Sequence, residues 1–99
     1  MSKMINTITN LIKYLPSKDV ELGYKFLKDR NFEDLQYLVT SALLKTNKNI
    51  KSDNPKEEYM SVDLHNLNLL KAELDVYVTK LDLPIINDIY GKEEFWINE

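Results

Sequence analysis

The chain has no cysteine, two glycines, three prolines, one histidine and one tryptophan in 99 residues. Each scarcity excludes something. Without cysteine there is no disulfide, thiolate nucleophile or thiolate metal site, and a cytoplasmic or virion-associated location is the simpler expectation. Two glycines leave no material for a glycine-rich phosphate loop or a dinucleotide fingerprint. With a single histidine, any metal site would rest on carboxylates, and neither EF-hand spacing nor an E-x-x-H pair is present. No apolar run approaches the ~18 residues of a membrane span. The N-terminus has no continuous apolar stretch of the kind a signal peptide carries. Few turn formers in a chain this short favour long helices and short connections.

What is present is an ordinary globular mixture. Apolar residues are 43% and charged residues 29%, enough for one domain with a small core, spanning 1–99. Lysine far exceeds arginine, and asparagine and isoleucine are abundant, as in AT-rich coding of low-GC bacteria or their phages. The net charge of −3 is unevenly spread. Residues 1–56 carry ten bases and six acids, residues 57–99 three bases and ten acids. The halves are therefore +4 and −7, and they can complement each other within or between chains. The total disfavours non-specific nucleic-acid binding.

The longest helical pattern runs from Asp63 to Leu83. Leu64, Leu67, Leu70, Leu74, Tyr77, Val78 and Leu81 recur at spacings of three and four, which puts them on one stripe. Asp63 suits an N-cap and Pro84 a stop. Leu69, Ala72, Val76 and Leu83 fall on the opposite side. Two apolar sides predict a central helix that is either covered twice by its own chain or meets another chain. The run Leu67, Leu70, Leu74, Tyr77, Leu81 also has the spacing of a short coiled-coil seam.

Upstream, Met1, Met4, Ile5, Ile8, Leu11, Ile12 and Leu15 make residues 2–15 an amphipathic helix closed by Pro16. Its polar face holds two lysines, too few for a membrane-surface helix. Ser17 is the expected cap of a helix over 18–29, with Asp19 and Glu21 in its first turn. There Val20, Tyr24 and Leu27 face one way and Leu22 and Phe26 another, while Gly23 suggests close backbone packing or a kink. Asn31 caps a helix over 32–46, with Asp34 in a capping-box position. Its buried stripe is Phe32, Leu35, Leu38, Val39, Ala42 and Leu43, with Tyr37 and Leu44 opposite. Residues 47–54 read as a lysine-rich solvated loop. Asn54-Pro55 opens a further helical turn, with residues 56–62 either helical or extended.

Past Pro84, Ile85, Ile86, Ile89 and Tyr90 precede Phe95, Trp96 and Ile97, which Glu93, Glu94 and Glu99 flank. This reads as a docking tail, 84–99, held on the chain's own core or on a partner and steered by its acids toward Lys45–Lys56. Ser61, Asp63 and His65 supply hydroxyl, carboxylate and imidazole, but neither strand nor helix geometry lines them up as a triad.

The expectation is an all-α fold: a small bundle of three to four helices with a long central helix and a short C-terminal tail. The expected function is non-catalytic: a protein-interaction or structural subunit, or an adaptor of a larger assembly, such as a small phage structural or accessory protein. It has no enzymatic activity, cofactor, small-molecule substrate, metal, membrane or nucleic-acid partner. Partner-binding residues are Tyr90, Phe95, Trp96, Ile97, Leu69 and Val76, directed at a protein partner or a second copy. The alternative is an acidic regulator that presents the −7 half to a basic groove of a nucleic-acid-handling protein.

Overall fold

A computed structural model of the chain describes residues 3–83. Five α-helices follow one another: α1 (Lys3–Leu11), α2 (Ser17–Lys28), α3 (Phe32–Ile50), α4 (Glu57–Met60) and α5 (Leu64–Lys80). A 3-10 turn over Ile12–Tyr14 extends α1, and no strand is present among the described residues. The fold is a small all-α bundle, with α5 at its centre.

The core forms where the apolar stripes of α1, α3 and α5 meet. Ile8, Ile12, Leu35, Val39, Leu67, Leu70 and Leu74 have no solvent exposure. The Phe32 ring meets Tyr77 edge-on, with centroids 5.2 Å apart. Leu67, Leu70 and Leu74, which have the spacing of a coiled-coil seam, are thus consumed inside the chain, and that row is not a seam between chains. Leu81, on the same stripe by register, is 43% exposed because α5 has already ended.

Helix ends account for most boundary differences. Asp63 caps α5 as expected, accepting the Asn66 backbone N–H at 3.2 Å and its side-chain amide at 2.7 Å. The Asn66 backbone bond, and then its side-chain bond, hold the Asp63 carboxyl below its usual pKa. The helix stops three residues short of Leu83. Asp82 turns left-handed (φ 61°), and the N–H groups of Asp82 and Leu83 return to the carbonyls of Thr79 and Val78. This is a Schellman cap with aspartate where glycine is preferred. Arg30 (φ 58°) closes α2 in the same way, with Asn31 N–H on the Phe26 carbonyl at 2.8 Å. Asp82→Gly should relieve the left-handed strain and stabilise the fold by about 0.5–1 kcal/mol. A melting midpoint that falls would contradict this.

α2 begins at Ser17, one residue early, with Pro16 at the cap position and no side-chain cap bond. Its buried side is centred on Gly23 and Leu27 rather than on Tyr24, which is 41% exposed. Glycine explains the rotation. A Cβ on Gly23 would stand 2.7 Å from Leu15 Cδ1 and 3.1 Å from Ile12 Cγ2, so its bare backbone is itself the packing surface.

α3 extends four residues past its expected end, through Asn47–Ile50. The stripe continues in polar residues: Thr46 and Asn49 are buried. Asn49 accepts the Lys56 N–H at 2.6 Å and donates to the Lys56 carbonyl at 3.3 Å, which ties down the connection to α4. The solvated loop is therefore shorter than 47–54. Residues 57–60 are helical, with Lys56 rather than Asn54 at the cap position. Tyr59 is buried, and the Lys18 ammonium lies 5.2 Å from its ring centre while donating to Glu58 at 3.3 Å. Tyr59 first, then Glu58, favour the charged form and raise the Lys18 pKa.

Candidate functional site

α5 presents its second apolar side to solvent. Leu69 is 41% exposed and Val76 49%. Ala72 lies between them, also exposed, while Leu83, 43% exposed, stands beyond the end of the helix. Positions 69, 72 and 76 fall on one row at helical spacing, so these side chains form a strip along the outside of the helix, whereas Leu83, past the left-handed turn at Asp82, lines a cleft with Arg30, Phe32 and Gln36. The inner side of the same helix is the core: Leu67, Leu70, Leu74 and Val78 are buried. Of the two readings of a two-sided helix, full coverage by the described part of the chain is thereby ruled out.

The expected contact residues Tyr90, Phe95, Trp96 and Ile97 lie outside the described residues, as does Met1. The outer side of α3 carries the other anticipated apolar pair, Tyr37 (41% exposed) and half-buried Leu44. α2 adds Leu22 and Tyr24, set among Lys18, Glu21, Lys25 and Lys28 around a wide, shallow groove of about 590 Å³. Ile50 and Met60, each 65% exposed, flank the α3–α4 connection.

A polar cluster lies between α3 and α5. Asp75 accepts from the Gln36 side-chain amide at 3.0 Å and from the Lys71 ammonium at 2.6 Å. Gln36 and Lys71 are both buried, at 2% and 9% exposure. Half of this was visible in the sequence, since Lys71 and Asp75 stand four residues apart on one helix. Gln36 was not, because its partner is 39 residues away. The cluster joins two helices and has no geometry for catalysis: Asp75 already receives both donors.

Ser61, Asp63 and His65 do not come together. Asp63 is committed to capping Asn66, and Ser61 and His65 are exposed. Among the described residues no group of three histidine or carboxylate side chains is disposed to hold a metal ion. No described helix is long and apolar enough to cross a membrane. Comparisons with protein-family models, with curated proteins and with solved structures find no match to this chain.

Proposed function

We propose that the chain is a non-catalytic protein-interaction subunit, or an adaptor of a larger assembly, that engages a protein partner through the outer strip of α5. The exposed row Leu69, Ala72 and Val76 carries the proposal. Leaving such side chains in water forgoes ~1.5–3 kcal/mol for each of the larger ones. A row of this kind on the central helix of a small fold is better used against a partner. Three side chains fall well short of the roughly 20–30 residues that each side of a stable interface contributes. The strip is therefore the apolar centre of a larger contact, to which Tyr90, Phe95 and Trp96 contribute aromatic anchors and Ile97 an aliphatic one.

The acidic-regulator reading has less to stand on. Several acids of the −7 half are engaged within the chain: Glu58 with Lys18, Asp63 with Asn66, and Asp75 with Gln36 and Lys71. Salt separates the two. Apolar docking on α5 tolerates added salt, whereas an acidic mimic loses affinity steeply.

Val76→Glu tests the proposal. Because Val76 is half exposed, the new carboxylate stays hydrated, and helicity and thermal midpoint should remain close to wild type. A photo-crosslinker at Ala72 should capture a partner from extracts of the native source, and Val76→Glu in the same chain should abolish that product. Equal crosslinking by both proteins would sink the α5 reading, and sedimentation of the pure chain shows whether the partner is a second copy.

A further inference from the structure

Gly23 and Leu27 turn one side of α2 into the core. The opposite side carries charges that the described chain leaves largely unused. At about 100° per residue they fall on two adjoining rows. One row is Glu21, Tyr24 and Lys28; the other is Lys18, Leu22, Lys25 and Asp29. Both rows are exposed throughout, and all but Asp29 line the wide, shallow groove of about 590 Å³. Among the described residues no ion pair holds Glu21, Lys25, Lys28 or Asp29, while Lys18 pairs with Glu58 at 3.3 Å. Each row is complementary to itself when reversed. Set antiparallel to a copy of itself, the first row opposes Glu21 to Lys28, Tyr24 to Tyr24 and Lys28 to Glu21. The second opposes Lys18 to Asp29 and Leu22 to Lys25, and the reverse. All these pairs are centred within about half a residue of Tyr24, under about 1 Å along the axis, so one arrangement satisfies them together.

We propose that two copies of the chain associate through this face, their α2 helices antiparallel about a two-fold axis at Tyr24. A two-fold contact must be self-complementary, because residue i meeting residue j requires j to meet i. An axis perpendicular to both helices sets each row against the same row of the second copy, and both rows fulfil that condition. Glu21 and Lys28 then form two ion pairs, one on each side of the paired Tyr24 rings. Lys18 and Asp29 add a pair at each end, since an ammonium has donors for both Glu58 and Asp29. Leu22 packs on the methylenes of Lys25 from the second copy, whose ammonium reaches water. Parallel helices would instead bring Lys18 and Lys25 each against its own copy, which like charges disfavour. Seven side chains from each copy are well under the roughly 20–30 of a stable interface, so the dimer is weak. Exposed ion pairs contribute little singly, but here each occurs twice. The contact is independent of the α5 strip, which lies on another helix.

Sedimentation equilibrium of the full chain, from about 10 μM to about 1 mM, tests this. At low salt a dimer should form with a dissociation constant on the order of 100 μM, and about 0.5 M salt should weaken it at least about tenfold. Glu21→Lys and Lys28→Glu should each weaken it at least about tenfold, since either change turns both ion pairs into repulsions. Both positions are exposed, so circular dichroism should show both variants folded. Mixed in equal amounts, the two variants should dimerise again, with an affinity within about threefold of wild type. Each then presents the opposite charge to the other at positions 21 and 28. Val76→Glu should leave the dissociation constant unchanged. A chain monomeric up to about 1 mM would overturn the proposal and leave the face to an acidic partner of another kind. So would a dimer that survives both charge reversals, or a mixture of the two variants that stays monomeric. A dimer lost with Val76→Glu would put the contact on α5 and overturns it as well.

Discussion

Leu74→Ala should cost about 3 kcal/mol and lower the thermal midpoint by roughly 12–24 °C for a domain of this size. Leu74 is mid-helix in α5 with no solvent exposure, enclosed by the core that α1 and α3 build around it. The substitution removes the transfer free energy of the deleted carbons and leaves a cavity that three packed helices can close only in part. Leu69→Ala, one and a half turns earlier on the exposed side, removes the same atoms from a site 41% open to water and should cost well under 1 kcal/mol. The contrast between two leucines of one helix is the measurement. Urea titration of both variants gives it directly, and equal midpoints would mean that the inner and outer sides of α5 do not differ in burial.

That contrast was legible in the sequence because it rests on period alone. Leu67, Leu70 and Leu74 recur at helical spacing, Leu69 and Val76 do so on the other side, and Asp63 announces the start. Other features were hidden where residue type and role part company. Asn47–Ile50 looks like a loop by polarity, yet Asn49 is buried because one side-chain amide satisfies both backbone groups of Lys56. Tyr24 looks like a core residue by hydropathy, but Gly23 is the point of closest approach, and a glycine contributes nothing to an apolar stripe. The strip at Leu69 and Val76 could be placed on one side of a helix from sequence, whereas its exposure depends on where α1 and α3 pack.

Asp75→Ala should cost about 2–4 kcal/mol, far more than its position on the rim of the core suggests. The carboxylate takes a hydrogen bond on each oxygen, from Gln36 at 3.0 Å and Lys71 at 2.6 Å. The Lys71 side chain is 11% exposed and that of Asp75 24%. Truncation leaves a largely buried ammonium without this carboxylate, and strips Gln36 of the acceptor for its amide. Breaking a buried pair by removing one partner costs about 3–5 kcal/mol, and the partial exposure of Asp75 brings the expected figure below the top of that range. Asp75→Asn keeps an acceptor for Gln36 but not the charge, so it should fall between wild type and alanine. Glu58→Ala is the control. Its pair with Lys18 is 37% and 47% exposed, and losing it should change stability by no more than about 0.5–1 kcal/mol. Added salt should shrink the Glu58 effect and leave most of the Asp75 effect in place, because a buried pair is screened much less than an exposed one. If Asp75→Ala and Glu58→Ala destabilise equally in chemical denaturation, then the contact joining α3 to α5 is a surface pair, and Gln36 and Lys71 are better solvated than their burial implies.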